Sequence, residues 1–582
     1  MSVAGDLSRR SVWVLLLAVT AALALHAPTL RSGLLADDFL HDAMLRGTFP
    51  VERSAWDLYA FVKSEVERSA LIDRGVLPWW SHPDLRLAGL RPLASLSLAL
   101  DHALGLSPPL RHAVSLGWFA LLVVLAGVWY RRILPPAAAT IALFVFALDP
   151  AHVSPVGWLA NRTTVMCGVF VLLALLATES LLARPTRAKQ GAVVLATGLA
   201  LASGEYALSG VGIAVGWLLL SGRGTPRSRR VALALWLGPT LAYLGLHLSL
   251  GYGAVGSSNY VNLLASPSVF ALAMVLRLPA LLASESFLLP GELVHGALVL
   301  DFGMSIVLVA LLVGAAWLVG YRVLREAGAA PRAQYLAASL GLVLAVLPLV
   351  ATLPSFRLLA IPSLAGAALV ALLLAFGLTA LRRSGWIGRV LLFAALSGAL
   401  FIHTALAGGV SYQSVRAVTA GREALADQLA VAKGAAGADT WLLLNAWDLS
   451  FSWLPWAQET AGGVAPPAWR VLATCSRPLT LTRTGPSSFT LSAKEAPMLA
   501  DPGPALFRAI DAPLEEGSTV TLRGLRVRVD RSARWGVSQL AFTLDDDLDA
   551  ERYAFFATNQ GRLERLRMPQ VGSALELPSA AP

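Results

Sequence analysis

Three carboxylates and an imidazole stand close together in Ala36-Asp37-Asp38-Phe39-Leu40-His41-Asp42, just beyond the first long apolar run, Val12 to Leu30. A charged aspartate at the centre of a membrane span costs about 3 kcal/mol. The cluster therefore belongs at a span end, lining a polar cavity. A carboxylate there can take the proton from a hydroxyl as its oxygen attacks carbon. Asp38 is the preferred base, because Phe39 and Leu40 can pack while the residue before them faces the cavity; Asp37 is the alternative. The plain reading of such a pair is a solvated helix end. Asp37, His41 and Asp42 are also open as ligands of a divalent cation, although they fit no defined oxygen-ligand loop.

Further ionisable groups fall near span ends, and the orientation below puts them on the same face: Arg91, His112, His152, Arg162, Glu205 and Arg357. Arginine holds phosphate by paired, charge-assisted hydrogen bonds, so Arg91, Arg162 and Arg357 suit a lipid-linked phosphate. Glu205, in the tight turn Ser203-Gly204-Glu205, reads as a positioning group, with His112 and His152 beside it. Each has a plainer alternative: Arg357 as an interfacial anchor, Arg91 as a tether for the helix that follows, the histidines as structural hydrogen-bonders.

The elements that must carry these groups are membrane helices. The chain has 582 residues, 56% hydrophobic and 14% charged, with mean hydropathy +0.64. Soluble domains carry about 25% charged residues, and runs of about 20 apolar residues recur along the chain. The formal charge of +10 does not indicate nucleic acid, because much of the arginine lies in short clusters between apolar runs. Those clusters set orientation by the positive-inside rule. Arg9-Arg10, Arg131-Arg132, Arg184 to Lys189, Arg223 to Arg230, Arg322 to Arg332 and Arg382-Arg383 are placed in the cytoplasm. About eleven spans follow, with the N-terminus inside. Leu93 to Leu106 is expected to lie along the surface, Trp56, Trp79 and Trp80 in the interfacial belt, and residues 267–290 in the outer interface without crossing. Cys167 and Cys475 offer no disulfide framework or zinc site. From about Gly408 the pattern changes: Ser414 to Lys433 reads as an amphipathic helix, and Trp441 to Asn445, Thr519 to Val529 and Gln539 to Leu544 as strands.

In their order these blocks resemble the GT-C-fold, polyprenyl-phosphate-dependent glycosyltransferases, near the protein O-mannosyltransferase branch and its bacterial relatives. The first-loop acidic pair matches Asp37-Asp38, and the Arg-Pro-Leu before a surface helix matches Arg91-Pro92-Leu93. A Pro-x-His-x-x-x-Val-x-Trp-x-x-x-Arg stretch matches Pro150, His152, Val156, Trp158 and Arg162. The glutamate of a Lys-Glu turn matches Glu205, and an arginine before an apolar-Pro-Ser run matches Arg357 with Ile361-Pro362-Ser363. The resemblance covers about residues 10–375. The chain departs from it at Gly204, where lysine is expected, at Ser115 and Phe119, where asparagine and histidine are expected, and at Leu358-Leu359, where a tyrosine often follows.

The resemblance implies an all-α polytopic membrane domain of GT-C type, placed over residues 1–406; the changed pattern beyond it reads as an extracytoplasmic soluble α+β domain over 407–582, which the resemblance does not reach. It implies transfer of a sugar, with inversion, from a polyprenyl-phosphate donor to a protein, lipid or glycan hydroxyl at the outer face of the cytoplasmic membrane. No cofactor is required by this reading, and a divalent cation stays open. The alternative is an inactive relative that binds a lipid-linked sugar or serves as an assembly scaffold. A transporter is disfavoured by the lack of an internal repeat.

Overall fold

The computed structural model describes residues 9–435, 437–447, 449–500 and 503–581. They form two compact units. One takes the residues up to Gly33, Gly89–Leu250 and Ser266–Thr419. The other takes Leu34–Ala88, Gly251–Ala265 and the residues from Ala420 on. The C-terminal part thus shares its unit with two earlier segments, where the sequence suggested a simple boundary at 406/407.

The first unit is helical. Among the described residues nine helices are long and apolar enough to cross a membrane, or ten if the pair Pro136–Ala147 and Pro150–Gly157, bent by 44°, forms one span. The chain is an integral membrane protein. Arg187–Ser203 and Ala207–Leu220 are shorter, as their sequences suggested, and meet at the Glu205 turn. Residues 267–290 differ from expectation: Pro267–Phe287 is a single 21-residue helix that passes the same length and hydropathy test. Its interruptions are accommodated rather than exposed. Pro279 lies inside the helix, and Arg277 is buried with its guanidinium donating to the Val350 carbonyl at 3.2 Å. Surrounding helices can absorb the backbone groups a proline frees. The final span runs on without a break, so that Trp386–Lys433 is continuous helix and includes the stretch read as a separate amphipathic helix.

Small residues bring helix backbones together. Gly212 and Gly216 of Ala207–Leu220 lie directly against the backbone of Ala329–Val346 at Leu344, Ala345 and Gly341, leaving no room for a Cβ. Without water to drive association, such close approach supplies the packing energy in a membrane.

The second unit holds the strands. Leu34–Ala88 and Gly251–Ala265 join through a small antiparallel sheet of Ala60–Val62, Arg86–Ala88 and Gly253–Val255. The C-terminal part forms a six-stranded antiparallel sheet and a four-stranded mixed sheet. The expected strands are present at Thr440–Leu443, Thr519–Leu522, Leu525–Ala533 and Gly536–Leu544. The two sheets share a core in which Phe489 stacks on Phe542 at 5.0 Å and meets Phe555 at 6.3 Å. Trp79 and Trp80 belong to this core and not to an interfacial belt. Both are buried, and the Trp79 indole donates to the Leu472 carbonyl at 2.8 Å. An indole whose N–H finds a fixed acceptor loses nothing by leaving water.

Candidate functional site

In the second unit the acidic pair begins the helix Asp37–Arg46. Ala36, before it, has φ +48° and ψ −120°, and the Asp38 amide donates to the Leu35 carbonyl at 2.9 Å. That is the first corner of a type II′ turn, a position that glycine normally fills. An alanine there is strained, by about 1 kcal/mol or more. The Asp38 carboxylate closes the same turn by accepting from the Leu35 amide at 3.0 Å. Asp38 is 4% exposed, whereas Asp37, one helical step of about 100° away, is only half-buried. Asp38 thus holds the turn, and Asp37 is the more exposed of the two carboxylates.

The rest of this helix is occupied in other ways. Asp42 pairs with Arg46 at 3.0 Å, and His41 packs edge-on to Tyr59 at 4.8 Å and parallel to Phe61 at 5.5 Å. Asp37, His41 and Asp42 do not converge, and among the described residues no group of three or more His, Cys, Asp or Glu side chains is placed to hold a metal ion.

In the helical unit Arg91 and Glu205 come together across more than a hundred residues. The Arg91 Nε donates to Glu205 Oε2 at 2.7 Å, and the Leu90 amide donates to Oε1 at 3.1 Å. His247 Nε2 stands 3.8 Å from Oε1, and the Tyr243 hydroxyl donates to the Leu90 carbonyl at 3.0 Å. Burial alone would raise the Glu205 pKa. The Arg91 guanidinium and the hydrogen bonds from His247 and Arg91 outweigh it and hold the carboxyl down at about 2. Arg91 and Glu205 are still 24% and 29% exposed. The Gly204 departure has a physical reason. Its φ is +155°, and a Cβ there would stand 2.6 Å from Thr163 Oγ1. The backbone that presents Glu205 excludes a lysine side chain at 204.

Arg162 is placed quite differently. Its side chain is 1% exposed and pairs with Asp101 at 2.6 Å. It also donates to Ser115 Oγ at 2.9 Å, Ser97 Oγ at 3.1 Å and the Arg111 carbonyl at 2.7 Å. Each nitrogen of this guanidinium meets a protein acceptor, so Arg162 serves as a strut. The strut ties the helix Pro92–Ala103, which begins beside Arg91, to the helices Pro108–Ile133 and Arg162–Ala183. The Ser115 departure thus supplies one of its acceptors.

Arg357 lies over the Trp158 ring at 5.5 Å, an arrangement that orients the plane of a guanidinium. His112 Nε2 bonds the Gly33 carbonyl at 2.7 Å, and His152 Nε2 the Phe146 carbonyl at 2.9 Å. Both are buried. Phe119, where the resemblance expects histidine, packs between the rings of His26 and His152. Sequence reading missed Asp101, His247 and Tyr243 as partners. The last two carried a signal, being four residues apart on one face of a helix end.

No protein-family model matches the chain, and no curated protein matches it. Solved structures do. The chain is similar to the oligosaccharyltransferase of Archaeoglobus fulgidus, tethered to an acceptor peptide, at 14% identity and TM-score 0.39, over 77% of this chain. It spans 63% of the length of that protein. It is also similar to ArnT of Cupriavidus metallidurans, at 15% identity and TM-score 0.40, over 79% of this chain and 90% of that one. A second structure of ArnT, bound to undecaprenyl phosphate, matches at 15% identity and TM-score 0.39, over 76% of this chain and 84% of that one.

Proposed function

We propose that the chain is a membrane hexosyltransferase that moves a sugar from a polyprenyl-phosphate donor to an acceptor hydroxyl at the outer membrane face. Arg91 and Arg357 bind the donor phosphate. Asp37 is the base that takes the acceptor proton, and Asp38 positions it by closing the Leu35–Asp38 turn. Glu205 fixes the plane of Arg91 and stays ionised throughout the physiological range. Arg162 acts through the helix it holds.

The observation that carries this reading is the Arg91–Glu205 pair. Catalysis by charge stabilisation needs donors that are oriented before the substrate arrives. A guanidinium gripped at Nε by a carboxylate, itself held by the Leu90 amide, meets that need while staying accessible. The Gly204 geometry supports the reading in one further way, since the backbone there presents Glu205.

The test is transfer of a radiolabelled sugar from polyprenyl-phosphate lipids to an acceptor fraction by the protein in nanodiscs. Turnover by wild type and its loss in Arg91→Ala support the proposal. Donor binding without turnover under any acceptor condition supports the scaffold reading. Orientation is tested separately with a reporter active only in the cytoplasm. It should be active after Arg230 and Arg383 and silent after Gly408, and activity at Gly408 would reverse the assigned face.

A further inference from the structure

The six-stranded sheet of the second unit has one face turned into the core and one turned outward. Along Leu525–Ala533, Leu525, Val527 and Val529 are buried, while Arg526 and Arg528 are exposed. The register of the neighbouring strands builds rows across the outward face. Arg526 lies opposite Thr521 on one side and Thr543 on the other. Arg528 lies opposite Thr519 and Ala541, and that row continues through Thr490 to Thr482. A register shift near Gln539 brings Arg531 opposite it, and that row continues through Ser492 to Thr480. Successive rows are about 7 Å apart along the strands and about 4.8 Å separates neighbours across them.

The result is a column of guanidinium groups flanked on both sides by hydroxyl and amide side chains. An ordinary solvated face mixes both signs of charge. Here residues 519–544 hold five arginines and a single acidic residue, Asp530, and Asp545 lies one row beyond Arg526, beside Gly524. Asp530 pairs with Arg528 at 2.7 Å. Glu516 accepts from the Ser532 amide near the end of the column, and Glu576 sits on the far edge strand. At the turn that joins Leu525–Ala533 to Gly536–Leu544, Trp535 is 52% exposed, with the Arg534 guanidinium over its ring.

We propose that this face binds an anionic glycan, a sugar chain bearing carboxylate or phosphate groups. The arginines pair with the acid groups in bidentate fashion. The threonine, serine and glutamine side chains match sugar hydroxyls, and Trp535 offers a flat apolar surface to a sugar ring. A surface made for lipid would present an apolar stripe for insertion, and the rows described above contain none. The site is independent of the transfer reaction proposed above, since it calls on no residue of that reaction.

The test uses the full chain in nanodiscs of neutral lipid, with no donor present, so that its outcome does not depend on turnover. The probes are polygalacturonate, neutral dextran, inorganic polyphosphate and vesicles containing an anionic phospholipid. Polygalacturonate should bind and dextran should not. The double substitution Arg526→Ser and Arg528→Ser should lower affinity at least about tenfold, while Arg526→Lys with Arg528→Lys should cost less, because charge remains and the fork is lost. Thr490→Val with Thr543→Val should lower affinity a few-fold without changing the salt dependence. Equal binding by the serine variant would overturn the proposal. So would polyphosphate binding as tightly as polygalacturonate, or vesicles binding where polygalacturonate does not. Melting temperatures of all variants guard against reading a folding defect as lost binding.

Discussion

Arg91 and Arg162 each lie against a carboxylate in the helical unit, at 2.7 Å from Glu205 and 2.6 Å from Asp101. The first pair is about a quarter exposed and the second is sealed from solvent. Arg162 meets acceptors on each of its three nitrogens, and all of them come from the protein. The Arg91 grip recorded at Nε fixes the plane of the guanidinium at an accessible place. Two arginines that look alike in a motif are therefore assigned different work by burial. The sealed pair ties helices together, and in the proposed reaction the accessible pair presents charge to the donor.

The sharpest way to break this contrast is to truncate the sealed arginine. Arg162→Ala leaves Asp101 as an uncompensated buried charge, which typically costs about 3–5 kcal/mol. Thermal unfolding in detergent should show a large loss. Arg162→Met combined with Asp101→Leu should recover most of it, because an apolar pair of similar volume is often tolerated. If Arg162→Ala melted like wild type while donor binding fell, Arg162 would be a ligand after all and the contrast would fail.

The accessible arginines should behave in the opposite way. Arg91→Ala and Arg357→Ala should weaken binding of labelled polyprenyl-phosphate sugar by about tenfold or more, the worth of a charge-assisted hydrogen bond, with a small change in melting temperature. The lysine variants should recover part of the affinity, since charge persists without the planar fork. Wild-type binding in both alanine variants would reduce these residues to structural anchors.

The smallest effect is on pH dependence. Glu205 has its pKa lowered to about 2 from the usual 4.5. A depressed carboxylate contributes stability that is present above about pH 4.5 and is lost as pH falls toward 2. For a partly exposed pair the amount is under about 1 kcal/mol. The melting-temperature difference between wild type and Glu205→Gln should be flat above pH 5 and shrink below 4.5. A difference that grows as pH falls would contradict the ionised pair.

Apolar runs and strand alternation were legible in the sequence because each is a local pattern with a fixed period. The helices near Val12–Leu30 and Met304–Leu324 and the strands around Trp441 and Thr519 followed from it. Arginine clusters suggested which loops lie together, and the motif blocks put Arg91 and Glu205 on the same membrane face without pairing them. What the sequence hid were contacts set by tertiary packing. Nothing local marks Asp101 as the partner of Arg162, sixty residues away, or pulls Trp79 and Trp80 into the sheet core. Ala36 carries no sign that its backbone is held in a glycine-like turn. The different burial of Asp37 and Asp38 turns on that backbone, and hydropathy along Phe39 and Leu40 does not show it. For residues 267–290 the orientation of the flanking spans argued for a segment resting in the interface, and the sequence does not show the neighbours that accommodate Pro279 and Arg277.

The central claim is that Asp37 is the base of a sugar transfer and Asp38 its positioner. It is tested most directly by turnover in nanodiscs of Asp37→Asn and Asp38→Asn beside wild type, with donor binding and melting temperature measured on the same samples. Asparagine keeps volume and an acceptor oxygen but removes the proton acceptor. Asp37→Asn should lose about 10²–10⁴-fold in turnover with donor binding intact. Asp38→Asn should lose far less, because its amide oxygen can still accept from the Leu35 amide, and Asp38→Ala should lower stability and turnover together. Equal small losses in both asparagine variants, with wild type turning over, would remove the pair from the chemistry.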